Sequence, residues 1–239
     1  GQASTPQTVV IRGGRVVDPS QKLDEVTDVT LRDGRIASIG PTKSAGAATV
    51  DAAGLIVCPG LIDIHVHLRE PGGETAETIE SGTRAAAAGG FTAVACMPNT
   101  RPPIADADTI RFVLDRAARA GSCRVHPVAA MTAGRQGRTP VDMPALLAAG
   151  AVAFSDDGAG LDDDKVARAV FEQAAASGAL LMQHCEVAAL AGDGCVNAGP
   201  VADALNLPGI DPAAEERMIA RDLDLARRLL VVLAVRVAH

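Results

Sequence analysis

Tryptophan and tyrosine are absent from this 239-residue chain, and only four phenylalanines occur. A core of useful size must therefore be built from Ala, Val, Leu and Ile. Positive charge is also scarce: 22 Lys and Arg stand against 29 Asp and Glu, for a net charge of −7. That balance offers no electrostatic footprint for nucleic acid or an anionic membrane, and neither is expected as a partner. No long hydrophobic run is present; the longest late one, residues 229–235, is far too short to span a bilayer. Residues 1–7 lack the basic start and apolar stretch of a signal peptide, and no initiator Met opens the chain. The five cysteines (Cys58, Cys96, Cys123, Cys185 and Cys195) are odd in number, scattered, and form no C-x-x-C pair. They read as small buried thiols in a reducing cytoplasm, not as a disulfide framework.

What is present is punctuated regularly. Residues 8–12, 15–17, 28–31 and 35–39 read as short strands separated by Gly13-Gly14, Asp18-Pro19 and Asp33-Gly34. Asp-Gly between alternating residues is a strong hairpin signal. Residues 1–57 are therefore expected to form part of a small β-sandwich. After Pro59-Gly60 the rhythm changes, and residues 58–239 repeat an apolar run, a polar loop, a helical stretch and a glycine. The runs are 61–64, 91–96, 124–130, 151–155, 179–183 and 229–237. The helical stretches are 76–88, 107–120, 140–149, 163–177 and 212–228. Gly89, Gly121, Gly150 and Gly178 stand where a helix C′ glycine belongs, and Asp211-Pro212 where an N-cap with proline at N1 belongs. Repeated βα units predict an α/β fold with a parallel sheet, doubly wound or a (β/α)8 barrel. With six strands and five intervening helices, a barrel would be incomplete.

In such folds functional groups gather at the carboxyl ends of the strands. His65, His67 and Arg69 follow the first run, Asn99 the second, Asp156 and Asp157 the fourth, and His184 the fifth. His239 closes the sixth. In His65-Val66-His67, alternate residues of an extended segment point the same way, so two imidazoles can share one cation. Imidazole suits zinc, and a carboxylate can bridge two ions. Each feature also has a plainer reading. The histidines could be packing residues, Arg69 a partner of Glu70, Glu74 or Glu77, Asn99 a loop cap, and Asp156-Asp157 a turn. His126, inside a strand, reads as a core residue or one supporting the site from behind. The third run is followed by a loop carrying Arg135 and Arg138.

The segment Asp63-Ile64-His65-Val66-His67-Leu68-Arg69-Glu70-Pro71-Gly72 resembles the signature of bacterial type I dihydroorotases, in the amidohydrolase superfamily. Met97-Pro98-Asn99-Thr100, Phe154-Ser155-Asp156-Asp157-Gly158, Gln183-His184-Cys185-Glu186 and Glu215-Glu216-Arg217 fit that pattern in order and spacing, up to about Arg228. The resemblance implies a metal-dependent hydrolase barrel that interconverts dihydroorotate and N-carbamoyl-L-aspartate, with two zinc ions in a binuclear centre. It makes His65, His67, Asp157, His184 and His239 metal ligands, Asp157 in preference to Asp156. It places His67, Arg69 and Asn99 against the substrate, with Arg69 and Asn99 gripping its carboxylate. It further implies a cytoplasmic homodimer and an association with aspartate transcarbamoylase. The alternatives are a hydantoinase or allantoinase, whose neutral ureides give Arg69 no carboxylate, and a catalytically inactive scaffold.

The family's Asp-His-Ala-Pro-like segment, which carries the general acid/base aspartate, is not in this sequence, nor are a seventh and an eighth strand. The expectation is therefore a general acid/base beyond residue 239, an exposed apolar edge over residues 229–237, and self-association or poor folding. An assay of the purified 239-residue chain is expected to show little or no opening of the dihydroorotate ring.

Overall fold

The computed structural model describes residues 8–43 and 46–236. They fall into two compact units, Gly1–Gly60 and Leu61–His239.

The first unit is one mixed sheet. β1 (Thr8–Asp18) and β2 (Leu23–Arg32) pair antiparallel, and β3 (Arg35–Ile39) returns on β2 through Asp33-Gly34. β4 (Ala48–Asp51) and β5 (Ile56–Val57) both lie parallel to β1. The two strands expected at 8–12 and 15–17 are a single strand. Gly13-Gly14 does not break it but forms a bulge, and the register with β2 slips between Ile11 and Gly14. Glycine is needed at the second position because a Cβ there would meet Val57 Cγ2 at 2.5 Å.

The second unit is α/β. Its strands are β6 (Leu61–Val66), β7 (Phe91–Cys96), β8 (Arg124–Ala129), β9 (Ala153–Phe154), β10 (Leu181–His184) and, at its far edge, β13 (Leu233–Arg236). All pair in parallel, in the order β13-β10-β9-β8-β7-β6. The crossovers are α1 (Ile79–Ala88), α2 (Ala107–Ala120), α3 (Met143–Ala149), α4 (Asp164–Ser177) and α7 (Ala213–Leu229). Between β10 and α7 the chain makes an excursion through α5 (Ala188–Ala191), β11 (Val196–Asn197), α6 (Pro200–Leu205) and β12 (Gly209–Ile210). Strands neighbouring in sequence thus neighbour in space, the arrangement of an incomplete βα barrel.

Local chemistry sets the helix ends. Asp106 accepts from Thr109 N at 2.8 Å, and Asp163 from Lys165 N at 2.7 Å and Val166 N at 3.1 Å. Thr78 and Ser81 form a reciprocal capping box, which is why α1 begins at Ile79 and not at residue 76. The left-handed residue that ends α1 is Gly90 (φ 85°); Gly89 keeps a helical φ of −80°. Gly121, Gly150 and Gly178 do adopt positive φ after their helices.

Strand alternation splits the apolar residues into two layers. On the helix side Val94, Cys96, Val125, Ala129, Phe154 and Leu181 pack with Ile110, Val113, Val170, Phe171 and Leu225. On the opposite face Ala95, Met97, Val128, Ala153 and Met182 form a smaller cluster. Cys96 and Cys185 are buried as expected, whereas Cys58 and Cys195 are exposed. Phe171 is wholly buried in the helix layer. Phe171→Ala is expected to cost roughly 3–5 kcal/mol, measured as a lower urea midpoint at unchanged slope.

Candidate metal centre

Four segments deliver the site. β6 carries His65 and leads into His67, the turn after β7 carries Asn99, the turn after β9 carries Asp156 and Asp157, and β10 ends in His184. The centre is Asp157, which is 3% exposed. His65 Nε2 lies 3.2 Å from its Oδ1, and His67 Nε2 lies 3.5 Å from its Oδ2. The two imidazoles meet edge to face, 5.3 Å between centroids. Ligand atoms of His65, His67 and Asp157 all fall within 4.8 Å of one another, a group able to hold a metal ion. His184 Nδ1 approaches Asp157 Oδ1 at 3.9 Å, and it is buried with no hydrogen-bond partner among the described residues. At that separation the ring nitrogen makes no hydrogen bond to the carboxylate, and when unprotonated it offers a lone pair to a cation. Donors about 2.0–2.1 Å from a tetrahedral ion stand roughly 3.3–3.4 Å apart, close to the two His–Asp157 separations. The residues present therefore fit a divalent metal.

The two adjacent aspartates face different partners. Asp156, 1% exposed, accepts from Met131 N at 2.8 Å, Thr132 N at 3.2 Å and the Thr132 hydroxyl. Burial pushes its carboxyl above the usual range, opposed by those donors and by Arg135. The Arg135 guanidinium donates to the carbonyls of both Asp156 and Asp157. The loop after β8 thus holds the 156–157 turn from outside and leaves the Asp157 carboxylate to the imidazoles.

Asn99 lies inside the cluster: its Oδ1 is 2.9 Å from His67 Nδ1, and its Nδ2 donates to Asp157 Oδ2 at 3.1 Å. Arg69 is exposed with φ 58°. The acids that could have engaged it are taken up elsewhere. Glu70 binds Arg116 at 2.6 Å and Ile79 N at 2.9 Å, Glu74 accepts from Gly72 N, and Glu77 from the Ser81 hydroxyl. His126 is half-buried in β8, away from the trio, and Arg138 is exposed. His239 lies outside the described residues. A cavity of about 350 Å³ opens beside the cluster, lined in part by Ile64, His65, Asp157, Met182, His184 and Val235. Its size suits a small molecule.

Two supports carried no obvious sign in the sequence. Arg135 acts through its carbonyl bonds. Asp222, fully buried, accepts from Gln183 Nε2 at 2.9 Å and Arg221 Nε at 2.8 Å, one residue along β10 from His184. Burial raises the Asp222 carboxyl, and Arg221 and Gln183 oppose the rise. The available signal was a charged residue on the apolar stripe of α7, between Met218 and Leu225. Burial and the nearby Asp222 also push the Cys185 thiol up to about 12.

A parallel α/β sheet with imidazoles and a carboxylate at the carboxyl ends of its strands has the amidohydrolase architecture. The solved structures agree on the fold. The L-hydantoinase of Arthrobacter aurescens superposes with a TM-score of 0.75 at 23% identity, covering 95% of this chain and 52% of that one. A D-hydantoinase gives 0.70 at 24% identity, covering 96% and 52%. In sequence, the dihydro-orotase-like family model matches residues 54–229. The dihydroorotase of Syntrophotalea carbinolica is 48% identical over 219 residues, 91% of this chain and 52% of the relative. That of Aquifex aeolicus is 45% identical over 221 residues, 92% and 52%. The chain belongs to the dihydro-orotase-like family, and it spans about half the length of the curated relatives it matches.

The aspartates should separate experimentally. Asp156→Ala strands three buried donors and is expected to cost roughly 2–4 kcal/mol of stability. Asp157→Ala is expected to spare more of the fold and to abolish the stabilisation by zinc. In the unaltered protein that stabilisation is about 2.7 kcal/mol at a hundredfold excess over Kd. Calorimetric melting with and without zinc reads both.

Proposed function

We propose that the chain carries the metal centre of a dihydroorotase, an enzyme that hydrolyses the cyclic amide of dihydroorotate reversibly to N-carbamoyl-L-aspartate with zinc. The observation that supports this most is the convergence of His65 and His67 on Asp157 in a chain whose curated relatives bear that name. His65, His67, Asp157 and His184 would hold the metal. When bound, zinc withdraws electron density from an amide carbonyl and acidifies water.

The chain's own residues do the rest. Asp157 supplies the negative charge that balances a dication. His65, His67 and His184 supply neutral lone pairs that leave a net positive field for an electron-rich amide. Arg69, exposed and unclaimed by its neighbouring acids, offers a planar two-pronged donor to the substrate carboxylate. His67 and Asn99 complete the substrate side. We assign no proton-transfer group among the described residues. The finer terms rest on the family resemblance: two zinc ions, His239 as a further ligand, a cytoplasmic homodimer and association with aspartate transcarbamoylase. The division into a β-sandwich part over residues 1–57 and a barrel part over residues 58–239 rests on the change of sequence rhythm after Pro59-Gly60.

Calorimetric titration of the zinc-loaded protein tests this reading. Dihydroorotate is expected to bind, and hydantoin and allantoin to bind far more weakly. Arg69→Met is expected to weaken dihydroorotate roughly 10- to 100-fold, the range of a charge-assisted hydrogen bond, at unchanged zinc content. Equal affinity for all three ligands, or indifference to Arg69→Met, would overturn the assignment.

A further inference from the structure

We infer that Asn99 is a positioning residue that fixes the tautomer of His67 and thereby presents its Nε2 lone pair to the metal. As a carboxylate, Asp157 can only accept hydrogen bonds. The Asn99 atom 3.1 Å from Asp157 Oδ2 must therefore be the amide nitrogen. The other end of the amide is then the carbonyl oxygen, and it faces His67 Nδ1 at 2.9 Å. A carbonyl can only accept, so Nδ1 must carry the proton. Which groups can donate and which can only accept thus fixes the orientation of the amide.

Distances decide the rest. A neutral imidazole has one N–H. Placed on Nδ1 it makes a hydrogen bond of ordinary length to Asn99; placed on Nε2 it would face Asp157 Oδ2 at 3.5 Å, beyond good N–H···O geometry. Asn99 thus favours the tautomer whose Nε2 lone pair is free, on the nitrogen that points at the carboxylate.

The backbone keeps the amide in place. Met97 N bonds Val66 O at 2.9 Å, tying the turn after β7 to β6, the strand that carries His65. Thr100 N and Ile104 N both bond Pro98 O, at 2.9 and 3.1 Å, and Arg101 N bonds Pro71 O at 2.9 Å. One amide on this braced turn contacts an imidazole and a carboxylate that lie 90 residues apart in sequence. Its role goes beyond facing a substrate. The tautomer itself needs no metal, whereas its consequence for affinity rests on the metal-centre reading above.

Nitrogen-15 NMR of the metal-free 239-residue chain, labelled at histidine, tests the inference. Spectra are taken about two pH units above the ordinary imidazole pKa of ~6.5, where imidazoles are neutral. In the unaltered protein His67 is expected to carry its proton on Nδ1. Asn99→Asp can still accept from Nδ1–H and is expected to keep that form, while Asn99→Ala is expected to release His67 to the Nε2–H form. By competition with a chelator, Asn99→Ala is expected to bind zinc roughly 10- to 100-fold more weakly, as for loss of a partner behind a metal-bound histidine. A proton on Nε2 in the unaltered protein, or in Asn99→Asp, overturns the inference, as does an unchanged tautomer in Asn99→Ala. Failure of the unaltered protein to bind zinc, with the proton on Nδ1, leaves the tautomer assignment supported and defeats the metal reading instead.

Discussion

The candidate site of the second unit is organised around one enclosed carboxylate. Asp157 sits where little water reaches it, and a charge removed from water is costly unless something compensates it. Here the compensation comes from outside its own strand. His65 and His67 arrive from β6, Asn99 from the turn after β7, and His184 from β10. Each is delivered by the carboxyl end of a parallel strand. A set of strands that did not lie side by side in this order could not bring them together. The fold and the charge pattern therefore constrain each other.

Much of this was legible in the sequence, for local reasons. The limits of α2 and β7 agree with the sequence reading to the residue. Asp106 caps one end of the helix, Gly121 closes the other, and an unbroken apolar run marks the buried strand. The His-x-His pair and Asp157 were legible because they follow apolar runs directly. The excursion over residues 188–210 was not. Its elements are two to six residues long, too short for any period to emerge from the pattern of apolar residues. The Gly13-Gly14 bulge was misread as a break because glycine marks both.

The supports of the site were hidden for a different reason. Arg135 bonds to main-chain carbonyls, which every residue possesses, so nothing in the partner sequence announces the contact. Asn99 was visible as a polar residue at a strand end, but its two bonds depend on the spacing of three segments in space. Asp222 was marked only by its place on an apolar stripe. Side chains that meet a metal leave a chemical signature in the sequence, whereas those that hold such side chains in place leave a geometric one.

Asp156 and Asp157 differ in nothing but one step along the backbone, yet one is spoken for by Met131 and Thr132 and the other by imidazoles. The chain turns at Asp157, so the two carboxylates leave it toward different partners. Deleting any one of Ser155, Asp156 and Asp157 would hence leave either the anchor or the ligand position without its carboxylate. Tolerance to indels at this turn should be nil, however freely the surface loops vary in length.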